Sequence, residues 1–461
     1  MKLNRLLLMS VMGLGLFACN NNDLEGTSGQ DGTQSEGTTY VGFTLKFNDA
    51  NTRATTTETG TAAEQGISSA YVIMTSDGGT TFEEVLSMGD TPKDGKGEGY
   101  YSDQEKFLFQ TNAGNHDFYA VINPDVPPVK DGNISDYFNT AIALPLSTIT
   151  TDNKFMMSSH EIKTFYVNDN VTEQQALNGT ANSFTIDVER VAAKVTMTCD
   201  SETLTNSANE AGGGTIDGTT FTLKNKAGCS YRMAQTSIQE IPENTYSNND
   251  TKTTVYVKQD RQENIHKLAT PVYCLENLHT SYYQKNTTYV DIETTFTPAK
   301  VVKCLDQLDA TPANNLQDNA EQPGSSFYVV GSGAHAQNYL MKNDLLTWQK
   351  SKGYVANDAE EISTNAGHFP AGVESISGEY VKGKCFFGPI WIGQENDQAQ
   401  TAPVTRNTWY NLKITGIKLP GEPQAPEIDK TGETPLVPPT NVAITLNILD
   451  WDFIDRQITL K

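Results

Sequence analysis

Cys19 is the residue whose position most clearly indicates a chemical modification. It follows Ala18 at the end of the apolar run 6–17, which a Lys and an Arg precede. A charged start, about a dozen apolar residues and a small residue before the cut are typical of a secretory signal. The run is too short to span a bilayer. The Cys predicts a lipoprotein signal peptide over residues 1–18, with lipid attached at Cys19; an ordinary cleaved signal with an incidental Cys is the alternative.

The peptide bond between Arg53 and Ala54 is a second candidate for chemistry. It lies in the polar stretch 49–57, whose side chains offer few means of packing. Exposed polar loops are where proteases cut. We therefore predict proteolytic cleavage at Arg53–Ala54, and the alternative is that Arg53 is only a solvated loop residue.

The other reactive side chains form no pattern for catalysis. The chain contains no H-E-x-x-H, no G-x-S-x-G and no P-loop. The remaining five Cys and the six His are widely scattered, without metal-ligand spacing: Cys199, Cys229, Cys274, Cys304 and Cys385; His116, His160, His266, His279, His335 and His368. We predict no catalytic residue, no metal site and no cofactor. Most of these Cys are expected to be small buried residues. One disulfide among them is possible, but the sequence does not assign it.

Composition narrows the class of protein. With 33 Lys+Arg against 56 Asp+Glu the formal net charge is −23. Binding to nucleic acids requires a cationic surface, so the composition argues against a nucleic-acid-binding protein. A hydrophobic content of 37% leaves no room for a helical membrane protein, and 18 Phe and 19 Tyr are enough to build cores. The length of 461 residues suits two or three domains at about 150 residues each.

Short alternating runs bounded by Gly, Asn, Asp and Pro recur from residue 39 onward and predict an all-β fold of sandwich type. The run 184–197 is too long for one strand, and its apolar parity slips near Arg190, which indicates a bulge or a change of sheet. We place a domain boundary there: 54–190 as the N-terminal β-sandwich domain and 191–461 as the C-terminal one. Two short helices are predicted, one opened by the capping box of Thr172 and Gln175 and one capped by Asp344.

The first predicted strand, residues 40–47, belongs to a propeptide of residues 19–53. Its apolar side chains alternate with polar ones, which predicts one buried face: Val41, Phe43, Leu45 and Phe47. Cleavage after Arg53 would separate this strand from the rest of the chain while leaving it initially in place. We therefore predict that it is displaced after processing.

The end of the chain carries a candidate donor strand. A Pro-rich connector, 420–439, is followed by a last sandwich strand and then by the segment 453–461. That segment has β-rich apolar residues that need a partner: Phe453, Ile454, Ile458 and Leu460. The alternative is that it completes its own domain.

Several motifs occur in the order found in one known family. They are the signal ending at Cys19, Thr52–Ala54, Asn115–Asn123, Phe155–Ser158, Val188–Val195, Tyr273–Asn277, Thr287–Val290 with Pro298, Gly383–Phe387, Arg406–Leu412 and Leu449–Phe453. With this set the chain resembles the fimbrillins of Bacteroidales, and in particular the shaft (major) subunit of short, or minor, fimbriae. The resemblance implies two transthyretin-like β-sandwich domains, export as an outer-membrane lipoprotein, removal of the N-terminal segment by an Arg-specific protease, and polymerisation by strand donation.

Together these observations predict a structural, non-enzymatic subunit of a surface fimbria that contributes to adhesion and biofilm formation. The expected partners are identical subunits arranged head to tail, fimbrial tip and anchor subunits, the Arg-specific protease, and the outer membrane through the lipid of the precursor. A monomeric cell-surface glycan-binding lipoprotein is the alternative from another class. Within the fimbrial class, a tip or an anchor subunit is the alternative.

Overall fold

Strands form most of the ordered structure in the computed structural model of this chain. The described residues are 39–47, 56–90, 99–141, 146–234, 246, 252–258, 269–307, 316–332, 335–370, 373, 375–394, 400–438 and 441–452. All of them belong to one unit, 38–461. No helix within these ranges has the length and the apolar character needed to cross a lipid bilayer.

The strands of the described ranges are numbered in chain order. They are β1 (Thr39–Phe47), β2 (Thr56–Thr59), β3 (Ala70–Ser76), β4 (Glu84–Ser87), β5 (Tyr100–Tyr101), β6 (Phe107–Thr111), β7 (Gly114–Ile122), β8 (Met157–Ser159), β9 (Lys163–Val167), β10 (Ser183–Arg190), β11 (Ala192–Asp200), β12 (Gly214–Lys224), β13 (Lys252–Thr254), β14 (Tyr256–Lys258), β15 (Val272–Leu275), β16 (Tyr289–Pro298), β17 (Lys300–Val301), β18 (Gln317–Asp318), β19 (Phe327–Ser332), β20 (His335–Met341), β21 (Ser375–Ile376), β22 (Lys384–Trp391), β23 (Thr408–Ile417) and β24 (Val442–Asp452).

Helices are short and few in the same ranges. They are α1 (Leu146–Ile149), α2 (Glu173–Leu177), α3 (Ser201–Glu210) and α4 (Lys342–Ser351), together with a π-helical turn, Ser135–Asn139. Thr172 caps α2 and Gln175 closes the capping box, as the sequence predicts. The cap predicted at Asp344 is wrong, because α4 begins at Lys342 after Met341 and Asp344 lies inside its first turn.

Two groups of strands contain most of the strands in the described ranges, and β17-β18 and β20-β19-β21 form two further small sheets. The first sheet has the order β4-β3-β7-β8-β10-β1-β6-β5, with β9 also paired to β7. It curls so that strands from both ends of this order share one core, which contains Val72 and Leu86 together with Val41 and Phe107. A closed or strongly curled sheet of this kind buries one face of every strand.

The second group is a sandwich of two sheets. One has the order β14-β11-β23-β24-β2, with β15 also paired to β11, and the other has the order β13-β12-β16-β22. Val195 and Leu412 from one sheet and Phe221 and Ile292 from the other meet in a single core, as expected when two sheets pack face to face. The all-β, sandwich-type fold predicted from the sequence is thus confirmed.

The chain passes from the first sheet to the second at Val191. β10 ends at Arg190 and β11 begins at Ala192 in another sheet, which accounts for the parity slip in the sequence. β2 lies early in the chain but pairs in parallel with the end of β24, in register Thr56 to Leu449 through Thr59 to Asp452. The division into domains at residues 190 and 191 stays a prediction.

The five Cys outside the signal region, all within the described residues, form no disulfide. Cys199, Cys229, Cys274 and Cys385 are buried and Cys304 is half-buried. Burial raises the pKa of the Cys274 and Cys385 thiols to about 12. These thiols therefore remain protonated and act as small apolar groups, and the disulfide that the sequence left open does not form in this structure.

Candidate functional site: the position of the first strand

β1 is an interior strand of the first sheet. Gly42–Phe47 pair in parallel with Ser183–Val188 of β10, and Thr39–Phe43 pair in antiparallel fashion with Phe107–Thr111 of β6. The backbone of β1 therefore joins two neighbours that are not paired with each other along this path. Removing β1 would leave unpaired N–H and C=O groups on both of them.

The inward face of β1 fills the core of the first sheet. The alternating side chains of Val41, Phe43, Leu45 and Phe47 are at most 3% exposed. Alternation of side chains across a strand places all four on one face. The structure thus seats these four predicted residues side by side in the core.

Phe43 is the centre of this packing. Its ring centroid lies 4.2 Å from that of Phe118, 5.8 Å from those of Phe109 and Phe184, and 6.0 Å from that of Phe165. Four aromatic partners at these distances form a pocket that favours a large apolar side chain. The pocket belongs to the body of the protein, whereas the side chain that fills it belongs to the segment before Arg53.

The other predicted site residues lie outside the described residues: Cys19, Arg53, Ala54, Phe453, Ile454, Ile458 and Leu460. What the structure describes is the chain on either side of the predicted cut and up to the start of the predicted donor segment. β1 ends at Phe47, β2 begins at Thr56, and β24 ends at Asp452.

A buried cluster joins the residues that follow the predicted cut to the strand that precedes the donor segment. The carboxylate of Glu64 accepts hydrogen bonds from Nε1 of Trp451 at 3.1 Å and from the hydroxyl of Tyr273 at 2.6 Å. It also accepts a bond from the amide of Thr61 at 2.7 Å and pairs with Nζ of Lys194 at 2.9 Å. Glu64, Lys194 and Trp451 are each at most 3% exposed.

Two cations complete this cluster. Arg190 Nε donates to the backbone oxygen of Glu64 at 3.1 Å and Nη1 to that of Trp451 at 2.6 Å, while its guanidinium lies 4.4 Å from the centroid of a Trp451 ring. Lys194 Nζ lies 3.8 Å from the centroid of a Trp409 ring. Cation–π contacts of desolvated groups are among the stronger ones. We call Glu64, Arg190, Lys194, Tyr273 and Trp451 the Glu64 cluster.

Electrostatics hold the Glu64 cluster in its ionised form. Burial alone would raise the pKa of Glu64, but the Lys194 ammonium, the Tyr273 hydroxyl and the Thr61 amide outweigh burial and lower the pKa. Burial lowers the pKa of Lys194, and the Glu64 carboxylate opposes that shift. The Glu64 carboxylate therefore helps to stabilise the charge of Lys194 in the core.

Sequence reasoning missed the Glu64 cluster. A signal was present, since Arg190 and Lys194 interrupt a run of apolar residues that is otherwise suited to a fully buried strand. Charged residues in such a run must be paired or hydrogen-bonded. Their partner could not be identified, because Glu64 lies 130 residues from Lys194 along the chain.

Among the described residues, no group of three or more His, Cys, Asp or Glu could hold a metal ion. What the arrangement offers is a strand position with an apolar pocket and two backbone ladders that β1 completes, in an all-β protein of sandwich type. Residues 378–457 match the family model described as major fimbrial subunit protein type IV, fimbrillin, C-terminal. The C-terminal region of this chain is thus similar to the C-terminal region of fimbrillins, which confirms for these residues the resemblance seen in the sequence.

Comparison with solved structures gives similar proteins at low identity. A fimbrilin (fimA) from Porphyromonas gingivalis W83 is 12% identical with a TM-score of 0.44, over 91% of this chain and 99% of that one. The tip fimbrial protein Mfa3 from Porphyromonas gingivalis, with a C-terminal truncation, is 12% identical with a TM-score of 0.38, over 90% of this chain and 100% of that one. No curated protein matches this chain.

Proposed function

We propose that this protein is the structural shaft subunit of a surface fimbria and that it contributes to adhesion and biofilm formation. It is exported as a lipoprotein precursor with lipid on Cys19, cleaved after Arg53, and polymerised by donor-strand exchange. The observation that carries this proposal is the interior position of β1. This strand has two hydrogen-bonded neighbours and a fully buried face, and its covalent connection to the downstream chain runs through residues 48–55, which contain Arg53.

The energy of strand removal supports exchange rather than simple loss. Burial of each large apolar side chain is worth roughly 1.5–3 kcal/mol, so the four side chains of β1 contribute about 6–12 kcal/mol. That is comparable with the net stability of a whole protein, roughly 5–15 kcal/mol. A subunit that loses β1 therefore needs a replacement strand, and an incoming strand can restore both the backbone ladder and the side-chain contacts.

The tail of a second copy is the replacement we propose. In an extended conformation the alternation of side chains would place Ile454, Ile458 and Leu460 on one face of the segment 453–461, together with Arg456. A contact in which the tail of one subunit fills the body of the next is head-to-tail, and such contacts form open filaments. Identical subunits are thus the main partners, and tip and anchor subunits end the filament.

Cleavage acts as the trigger in this proposal. Before the cut, the position of β1 is filled from within the same chain, which keeps the precursor monomeric during export. An Arg-specific protease then cuts β1 from the body, while the lipid on Cys19 belongs to the removed part. The mature subunit starts at Ala54 and no longer carries its own first strand.

The test compares the wild type with Arg53→Lys in cells that display the fibre. The Lys variant keeps the charge but is not a substrate for a protease specific for Arg. N-terminal sequencing of sheared wild-type material should give a start at Ala54 and high-mass ladders on mild-detergent gels, whereas Arg53→Lys should remain a lipid-modified monomer that begins at Cys19.

A second variant separates the two halves of the proposal. Deletion of residues 453–461 should leave a cleaved, folded subunit that forms no ladders. Unchanged ladders after this deletion would refute donation by the tail, and wild-type fibres that begin at Cys19 would refute processing.

A further inference from the structure

The inward face of β1 fills an apolar groove of the first sheet. The start of β1 is held in addition by polar contacts. Thr39 is fully buried, and its hydroxyl donates to the backbone oxygen of Asn168 at 2.8 Å while it accepts from the amide of Val171 at 2.9 Å. The next residue is held as well, because the amide of Tyr40 donates to the backbone oxygen of Val171 at 3.0 Å.

Asn182 also holds the start of β1, through Tyr40 and Gly42. It is 4% exposed, and its Nδ2 donates to the backbone oxygen of Tyr40 at 3.0 Å and to that of Asn168 at 2.8 Å. Its Oδ1 accepts from the amide of Asn168 at 2.8 Å, and its own backbone oxygen accepts from the amide of Gly42 at 2.8 Å. We call Asn168, Val171 and Asn182 the clasp.

The body of the protein fixes the clasp in place. Val171 is followed directly by Thr172, the N-cap of α2. At the other end of α2, Lys106 Nζ donates to the backbone oxygen of Leu177 at 2.6 Å and to the hydroxyl of Ser183 at 3.2 Å. Asn182 has a φ of 41°, a conformation that Asn tolerates better than most residues. The clasp is therefore held partly by contacts within the body of the protein that do not involve β1.

The segment 453–461 cannot reproduce the bonds of Thr39. Thr39 shares the inward face with Val41 and Phe43, since the three alternate along β1. When Ile454, Ile458 and Leu460 face inward, the remaining inward position is Arg456, and Thr459 falls on the outward face. The tail then presents no hydroxyl on its inward face.

We propose that the clasp is a binding site for a threonine hydroxyl at the start of an extended strand, and that it gives the chain's own first strand preference over the tail of a neighbouring subunit. This inference rests on the proposed function and adds a selectivity step to it. The apolar groove accepts either strand, whereas the clasp favours the original one. The precursor thereby stays self-occupied, and exchange waits until the cut strand leaves the clasp.

The test uses the full chain, nicked by an Arg-specific protease, with Thr39→Val as the variant. Val has nearly the same shape as Thr but cannot form the two hydrogen bonds, so the N-terminal fragment should leave about tenfold faster, as expected for the loss of about two hydrogen bonds. Native mass spectrometry follows the release. Thr44→Val is the matched control, because Thr44 is half-buried on the same strand and the described residues offer its hydroxyl no partner; its release should be unchanged.

Synthetic peptides test the clasp without altering the fold. A peptide of residues 38–48 should bind the emptied subunit about tenfold more tightly with Thr than with Val at position 39. Equal affinities, or equal release from Thr39→Val and Thr44→Val, would overturn the inference. Binding of a peptide of residues 453–461 is measured in parallel: its failure would refute the proposed function, while the comparison of the two 38–48 peptides would still decide the role of the clasp.

Discussion

Phe43→Ala should weaken the precursor and leave the assembled fibre unaffected. Phe43 is fully buried among four phenylalanines, with ring centroids 4.2–6.0 Å away. Truncation of a buried Phe to Ala costs about 3–5 kcal/mol. At about 2–4 °C per kcal/mol for large domains, the unfolding temperature of the uncleaved precursor should fall by roughly 6–20 °C. If β1 is absent from the mature subunit, the same change cannot affect the fibre.

Phe118→Ala is the matched control for this experiment. Phe118 is equally buried and contacts Phe43 directly, but it lies on β7 and stays in the mature subunit. It should destabilise the precursor and the fibre alike. Differential scanning calorimetry on the precursor, and heating of sheared fibres before mild-detergent gels, give both values. A fibre weakened as much by Phe43→Ala as by Phe118→Ala would show that the original strand is still in place, and the reasoning would fail.

Three further predictions concern ion pairs: two involve the buried Glu64 cluster, and one involves His160, whose side chain is about half exposed. Glu64→Gln or Lys194→Met alone should lower the free energy of unfolding by about 3–5 kcal/mol in urea titrations. The double variant should lose less stability than the sum of the two single variants, because an unpaired buried charge destabilises the protein more than the absence of both charges does. The pKa of Glu64 is lowered, so its stabilisation is present above its ordinary value of 4.5 and is lost as the pH falls through the lowered value; Glu64→Gln should flatten acid unfolding curves. The hydrogen bond to Glu189 raises the pKa of His160 from 6.5. The stabilisation from this pair is therefore fully present below pH 6.5 and disappears as the pH rises through the raised pKa. His160→Gln should abolish this dependence of stability on pH, and an unchanged pH profile in the variant would contradict the prediction.

The features that sequence reasoning predicted well are those with a local pattern. The alternation from Val41 to Phe47 predicts a strand with one buried face, and the parity slip near Arg190 predicts a change of sheet. Both are properties of consecutive residues, because side chains alternate along a strand. Thr172 and Gln175 likewise define a cap within one turn.

The features it missed depend on residues that are distant in the sequence. Glu64 and Trp451 are 387 positions apart and meet only because β2 pairs with the end of β24. Thr39 and Asn182 are 143 positions apart, and nothing around Asn182 in the sequence distinguishes a strand-end site from an ordinary polar loop. Non-local pairing of this kind is set by the folded topology and leaves no periodic trace.

The residues on either side of Arg53 differ in what the predicted cut would do to them. Upstream, β1 is bound by backbone ladders and side-chain packing, which another strand can remake, and by the clasp, which favours the original strand. Downstream, β2 pairs with β24, and Gly60 is so tightly enclosed that a Cβ atom there would lie 2.8 Å from Nε1 of Trp451 and 2.9 Å from Oε2 of Glu64. Contacts that close leave no room for a side chain to enter without displacing the cluster. The new N-terminus would therefore remain attached to the body of the protein, beside β24, which leads to the proposed donor tail. The cut would release only the segment upstream of it. Gly60→Ala should loosen that attachment and allow hydrogen exchange of the β2 amides, while the amides of the first sheet stay protected. Equal protection of the β2 amides in the wild type and in Gly60→Ala would contradict this prediction.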